Sequence, residues 1–113
     1  MAEIVLVCGG RGYDDAMRLF KVLDGMEIDC IVHGGAHGAD RLASMWGEQC
    51  GKPVIVVSAQ WNKYGKNAGP VRNAWMLKYI KVTRVVAFPG GRGTAHMVKL
   101  AREAGIPVTQ IDD

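Results

Sequence analysis

Five short apolar runs, rich in β-branched residues, are spaced along the chain and are followed by polar or glycine-rich turns. The runs cover Ile4–Cys8, Asp29–His33, Val54–Ser58, Thr83–Phe88 and Ile106–Ile111. Continuous apolar runs of this length are typical of strands that are covered on both faces of a parallel sheet. The pattern therefore predicts five buried parallel strands.

Helical periodicity occupies the gaps between these runs. Asp14 is predicted to cap a first helix, and an apolar stripe over Ala39–Cys50 marks a second. Pro70 fits the first turn of a third helix that ends near Tyr79, and a fourth stripe covers Thr94–Ala104. The alternation predicts one Rossmann-like α/β domain over residues 1–113. Its doubly wound five-stranded parallel sheet should have the order 3-2-1-4-5, helices on both faces and right-handed crossovers.

Glycine is about twice as frequent as in an average protein, with fifteen residues in the chain. Three of the predicted strands end in glycine pairs, within CGGRG at 8–12, HGGAHG at 33–38 and FPGGRG at 88–93. The carboxyl ends of parallel strands share one rim, where ligands bind in such sheets. Each turn also opens a helix, whose free N–H groups attract phosphate or carboxylate. The three turns therefore predict an anion site, with the last turn and the Thr94 hydroxyl as its best candidate.

The segment AQWNKYGKNAGPVRN at 59–73 combines aromatic side chains for stacking with cations for an anionic ligand. We interpret it as a binding loop, against the alternative of an ordinary surface loop with one anchored aromatic residue. Asp40 is expected to cap its helix or to accept hydrogen bonds from ribose hydroxyls. The turns and this segment together give the predicted ligand-binding residues: Gly9, Gly10, Arg11, Tyr13, His33, Gly34, Gly35, Gly38, Asp40, Trp61, Tyr64, Lys66, Arg72, Asn73, Pro89, Gly90, Gly91, Gly93 and Thr94.

Several nucleotide and metal motifs do not fit this chain. Only three residues separate Gly47 from the Gly-Lys pair that ends at Lys52, so the Walker A pattern fails, and no G-x-G-x-x-G fingerprint follows the first strand. An ordinary NAD-dependent dehydrogenase is thereby disfavoured. His33, His37 and Asp40 have ligand-like spacing but lie in a glycine turn without a further ligand. We therefore predict no metal site and no resident cofactor.

Composition narrows the choice of partner and compartment. The net charge of +3 suits an anionic small molecule better than a nucleic acid, which leaves single-stranded nucleic-acid binding through Trp61 as a weaker alternative. Cys8, Cys30 and Cys50 are odd in number and are predicted to be buried, reduced thiols. No apolar stretch reaches the ~18 residues of a membrane span. We expect a soluble, cytoplasmic protein that does not bind membranes.

The predicted third helix is apolar nearly all round. Apolar side chains, among them Trp75, Met76 and Tyr79, occupy more faces of this helix than one sheet can cover. The excess apolar surface favours a homodimer through this helix.

The motifs HGGAHGAD, YGKNAGPVRNAWM and FPGGRGTAHMV resemble the YspA-like, cpYpsA-related branch of the SLOG superfamily. This branch consists of small Rossmann-like domains and is similar to a domain of unknown function found in bacteria and their phages. The resemblance implies that the chain binds or senses a nucleotide-derived ligand, such as ADP-ribose, an NAD-like molecule or a nucleoside phosphate.

The same superfamily includes phosphoribohydrolases with the signature P-G-G-x-G-T-x-x-E. Their Glu takes part in cleavage of an N-glycosidic bond, but Met97 stands at that position here. A thioether cannot act as a general acid or base. A nucleoside-monophosphate N-glycosidase therefore remains an alternative in which Asp40, or else Asp14, supplies the carboxylate and Arg72 stabilises charge. The enzymatic status of the chain stays open at this point.

Overall fold

The computed structural model describes residues 2–112 and confirms the predicted fold class. The strands are β1 (Ile4–Cys8), β2 (Cys30–His33), β3 (Val54–Val56), β4 (Arg84–Ala87) and β5 (Val108–Gln110). The helices are α1 (Ala16–Asp24), α2 (Ala39–Gln49), α3 (Trp61–Tyr64), α4 (Ala68–Tyr79) and α5 (Arg92–Glu103), with a 3₁₀ turn at Gly65–Asn67. The five strands form one all-parallel sheet in the order β3-β2-β1-β4-β5.

The central strand β1 separates two hydrophobic cores. Val5 and Val7 point to one face, where they pack with Leu19 of α1 and other buried residues of α1 and α2. Leu6 points to the other face and joins a cluster that contains Met76 of α4 and Met97 of α5. Burial of each such side chain contributes about 1.5–3 kcal/mol of transfer free energy. The two cores hold helices on both faces and fix the strand ends that form the site.

The outer strands are less buried than the continuous apolar pattern predicts. Ile55 and Val56 of β3 are 39% and 51% exposed, and β5 contains no buried residue, so the prediction of five buried strands is wrong for β3 and β5. Strand β3 pairs on one side only and ends at Val56, two residues before the predicted end. The central strands β1, β2 and β4 have neighbours on both sides and match the prediction better.

Three local expectations also need correction. Helix α1 is capped by Asp15, whose carboxylate accepts a hydrogen bond from the Arg18 amide at 3.1 Å, and not by Asp14. Cys50 is exposed, and Cys8 and Cys30 are only partly buried, so the expectation of three buried thiols is wrong. The segment at 59–73 is not a loop, because α3, the 3₁₀ turn and the start of α4 occupy most of it.

Gly10 lies between the other two glycine-rich turns. Its amide donates to the carbonyl of Pro89 at 2.8 Å, and its carbonyl accepts from the amide of Ala39 at 3.3 Å. A Cβ on Gly38, which has a φ of +77°, would meet the Gly10 carbonyl oxygen, and a Cβ on Gly90 would lie 2.6 Å from the Gly10 nitrogen. Glycine is thus required at these positions because the three turns touch backbone to backbone.

We predict that Gly90→Ala lowers the free energy of unfolding by about 1–3 kcal/mol, the usual cost of overpacking a filled site. The added methyl group would meet backbone atoms of Gly9 and Gly10, which cannot rotate away as a side chain can. Gly93→Ala is the matched control, because no atom lies within 4 Å of the added carbon and alanine favours the helix. Urea denaturation measures both variants, and wild-type stability in Gly90→Ala would contradict this packing account.

Candidate functional site

A cleft of about 600 Å³ opens at the carboxyl rim of the sheet, between the glycine-rich turns and the α3–α4 segment. Its volume is within the range of small-molecule sites, about 300–1,000 Å³. We call it the central cleft. The predicted ligand-binding residues that line it are Gly9, Gly10, Arg11, Gly34, Asp40, Trp61, Lys66, Arg72, Asn73, Gly91, Gly93 and Thr94.

Other residues of the predicted set lie outside the central cleft. Tyr13 packs against Phe88, with ring centroids 5.3 Å apart, and borders a separate hollow that Pro89 also lines. A Cβ on Gly35 would meet Ser58 and Val56, so this glycine faces β3. The predicted residues that do not line the central cleft are Tyr13, His33, Gly35, Gly38, Tyr64, Pro89 and Gly90.

Residues that sequence reasoning missed also line the central cleft. They are Val7, Cys8, Ala36, Gly69, Pro70, Arg92, His96 and Met97. His96 and Met97 lie three and four residues after Gly93 on α5, so they share its helix face. Their spacing from Gly93 was the feature of the sequence that could have placed both side chains on the cleft.

Arg72 joins α4 to the turn after β2. Its Nη1 donates to the carbonyl of Gly34 at 2.8 Å, and its Nε donates to Oδ1 of Asn73 at 2.9 Å. A Cβ on Gly34 would collide with the guanidinium group, which explains the glycine there. Burial lowers the pKa of Arg72, whereas Asp40 raises it and Arg11 lowers it further. A guanidinium group carries five N–H donors, so two bonds to protein leave donors for a ligand.

Asp40 organises the turn after β2 rather than capping α2. Its Oδ2 accepts hydrogen bonds from the amides of Gly34 at 3.0 Å and Ala36 at 3.2 Å. The N-cap of α2 is Gly38, which offers no side chain. Burial raises the pKa of Asp40, while the two amides and Arg72 hold it down. The expectation that Asp40 caps its helix is therefore wrong, and one carboxylate oxygen is already engaged by the loop backbone.

Positive charge dominates the lining of the central cleft. The basic side chains there are Arg11, Lys66, Arg72 and Arg92, against the single carboxylate of Asp40. Such a concave basic lining raises the local concentration of anions.

The turn after β4 leaves the N-terminus of α5 open toward the central cleft. Gly91 is the N-cap and makes no side-chain cap, and α5 begins at Arg92. The first N–H groups of a helix have no partner within that helix. A Cβ on Gly91 or Gly93 would meet no atom within 4 Å, so packing does not demand glycine at either position. Open backbone N–H groups, small residues and nearby cations form a site suited to phosphate.

An aromatic platform lies at another part of the central cleft. Trp61 of α3 is 51% exposed, and the guanidinium carbon of Arg11 lies 5.8 Å from its ring centroid. A planar cation over an indole ring is a stable arrangement that also leaves ring surface for a flat ligand. This pair connects the turn after β1 to the α3–α4 segment.

Cys8, at the end of β1, lines the central cleft but is not a nucleophile. Burial, with a smaller effect from Asp40, raises the pKa of its thiol to about 12. A thiolate is needed for nucleophilic attack, and this side chain stays protonated at neutral pH.

Two comparisons with known proteins find similar sequences. The model of the YAcAr family, described as the YspA, cpYpsA-related SLOG family, matches residues 3–64. Gene 61 protein of Mycobacterium phage D29 is 35% identical over 121 residues, which cover 96% of this chain and 96% of the phage protein. The chain belongs to the YspA, cpYpsA-related SLOG family.

Membership of this SLOG family confirms the resemblance seen in the motifs, and it indicates binding or processing of a nucleotide-related ligand. The matched range 3–64 holds the first two glycine-rich turns, and the similarity to the phage protein extends over nearly the whole chain. Within residues 2–112, no group of three His, Cys, Asp or Glu side chains is placed to hold a metal ion. No helix in the same range is long and apolar enough to cross a bilayer.

The environment of His33 predicts how the free energy of unfolding of this SLOG domain depends on pH. Its Nδ1 accepts from the amide of Gly35 at 3.0 Å, and burial, followed by Arg72, lowers its pKa. As the pH drops below about 6.5, the ordinary histidine pKa, His33 therefore takes up a proton in the unfolded chain, whereas in the folded chain it does so only at lower pH. We expect the free energy of unfolding to fall as the pH drops below that value, by at most about 1.4 kcal/mol per pH unit from this group.

The matched variant is His33→Asn, which keeps an acceptor for the Gly35 amide and does not titrate. Asp40, whose pKa is raised, acts in the opposite direction at lower pH but is common to both proteins. Urea denaturation between pH 7.5 and 5.5 should show a steeper loss of stability in the wild type. Parallel profiles for the two proteins would contradict the assignment to His33.

Proposed function

We propose that the central cleft binds a nucleotide-derived ligand, either an ADP-ribose-like or NAD-like molecule or a nucleoside phosphate, and that the protein acts as a binding or sensing module. The observation that carries this proposal is the open N-terminus of α5, with Gly91, Gly93 and Thr94 on the same cleft as Arg72 and Trp61. Phosphate and base could thus be held by different parts of one cleft.

The phosphate end would use α5. The first N–H groups of this helix and the Thr94 hydroxyl donate, and Arg72 and Arg92 supply positive charge. Charge-assisted hydrogen bonds of this kind are about twice as strong as neutral ones. By contrast, the first amide of α2, that of Ala39, already donates to Gly10. The turn after β4 is therefore the preferred phosphate site among the three.

The base end would use Trp61. Its exposed ring beside Arg11 can stack on a purine or pyrimidine, an interaction that stabilises bound bases by about 1–3 kcal/mol each. Stacking on one side chain selects flat rings without choosing among bases. The same property keeps single-stranded nucleic acid as a weaker alternative ligand.

A binding role fits the chemistry of the cleft better than hydrolysis does. Met97 is 1% exposed and packs in the core with Leu6 and Met76, so no carboxylate occupies the position of the hydrolase Glu. Asp40 is engaged by two backbone amides, and the Cys8 thiol stays protonated. N-glycosidase activity is the alternative function, and it would depend on Asp40, the carboxylate in the cleft, with its raised pKa.

We predict that ADP-ribose or AMP raises the melting temperature of the wild-type protein and that adenosine does so far less. A ligand at 100 times its Kd stabilises a folded protein by about 2.7 kcal/mol. Gly91→Val should abolish the shift, because its branched side chain would occupy the open space before α5 without a clash against protein atoms. A thermal-shift series measures this, and an undiminished shift in Gly91→Val would remove the turn after β4 from the site.

The choice between sensor and enzyme has a separate test. We expect no release of free base when the wild-type protein is incubated with AMP, GMP, CMP or IMP, as measured by chromatography. Turnover that is lost in Asp40→Asn, with ligand binding intact, would contradict the sensor role and would make Asp40 the catalytic carboxylate.

We also propose that α4 forms a homodimer contact. Met76 is buried in the core, but Trp75 and Tyr79 are 47% and 61% exposed, with ring centroids 5.1 Å apart. We further propose that the protein is located in the cytoplasm, which is the cytoplasm of the host if the gene is carried by a phage. Sedimentation of Trp75→Glu should show a monomer where the wild type is a dimer, and a monomeric wild type would contradict the proposal.

A further inference from the structure

We infer that His96 is a ligand-contacting hydrogen-bond donor and that a series of hydrogen bonds, from Arg72 through Asn73 to His96, fixes its tautomer. The inference rests on the proposed function for its ligand, a phosphate-bearing nucleotide derivative. The tautomer itself is a property of the protein alone and depends on the side chains of Arg72, Asn73 and His96.

This series of hydrogen bonds begins with a group that can only donate. Nε of Arg72 lies 2.9 Å from Oδ1 of Asn73, so this oxygen must accept. The orientation of the buried Asn73 amide is thereby determined, with its Nδ2 directed away from Arg72 and toward α5.

The next group in the series, the amide nitrogen of Asn73, can also only donate. Nδ2 of Asn73 lies 3.2 Å from Nδ1 of His96 and 3.4 Å from the carbonyl oxygen of Gly93. Because an amide nitrogen has no lone pair to offer, Nδ1 of His96 must be the acceptor. A neutral imidazole that accepts at Nδ1 carries its proton at Nε2.

Nε2–H is the group that a ligand meets. His96 lines the central cleft and is half-buried, and its Nε2 has no hydrogen-bond partner among residues 2–112. The ring lies one turn after the open start of α5 and on the same wall as Gly93. A donor at this place, next to the cationic lining, fits a phosphoryl oxygen of the ligand.

The protein in its free state tests the tautomer first. Two-dimensional ¹⁵N spectra of the imidazole rings at pH 8, assigned with His96→Gln, should show His96 protonated at Nε2. In Asn73→Asp one carboxylate oxygen still accepts from Arg72, and the other can accept a hydrogen bond only from a protonated Nδ1, so the Nδ1–H form should appear. Asn62→Asp, an exposed site with the same charge change outside the cleft, should leave the spectrum unchanged.

Binding of ADP-ribose, measured by calorimetry, tests the contact. His96→Leu, which has no donor, should weaken binding about tenfold, and His96→Gln, whose amide nitrogen replaces Nε2, should restore most of it. An Nδ1–H tautomer in the wild type, or one that Asn73→Asp does not change, would overturn the fixed donor. Wild-type affinity in His96→Leu would overturn the ligand contact alone, whereas no binding of ADP-ribose by the wild type would overturn the proposed function as well.

Discussion

The backbone contacts of Gly10 hold the site together. Its amide and carbonyl bond to the turns that follow β4 and β2, so three chain segments that are distant in sequence meet at one residue. A side chain on Gly9, Gly38 or Gly90 would force these turns apart. Because polar backbone groups buried without partners are costly, these bonds also satisfy groups that the turns would otherwise leave unpaired. The central cleft exists because this packing places the start of α5 beside the turn after β2.

This packing divides the glycines into two groups. Gly38 and Gly90 are required by neighbouring backbone, Gly9 by the Cβ atom of Ala39, and Gly34 makes room for the guanidinium group of Arg72. Gly91 and Gly93 meet no neighbouring atom and face the cleft. The glycines of the first two turns therefore serve mainly to bring elements together, and those before α5 provide open backbone for a ligand. Only the second group supports an anion site directly.

The parallel sheet could be predicted because the runs that form β1, β2 and β4 are apolar, and its order because strands and helices alternate as in a doubly wound fold. The same pattern wrongly predicts that the edge strand β3 is buried, because the residues of Val54–Val56 are β-branched but half-exposed. Pattern reasoning interpreted the segment around Trp61 as a loop, since a four-residue helix is too short to show periodicity. It also missed His96: spacing from Gly93 along α5 could have placed this residue on the cleft, but its hydrogen-bonding role depends on the orientation of the Asn73 amide, a feature of tertiary structure.

A titration of the ¹⁵N-labelled protein with ADP-ribose, followed by amide and indole NMR signals, tests the central claim most directly. Binding in the central cleft predicts that the amide signals of Gly91, Gly93 and Thr94 and the indole signal of Trp61 shift together, with one dissociation constant. Adenosine should shift the Trp61 signal while leaving the Gly91 and Gly93 amides nearly unchanged. Shifts confined to residues outside the central cleft, or no shifts at millimolar ADP-ribose, would contradict a nucleotide-binding role for this cleft.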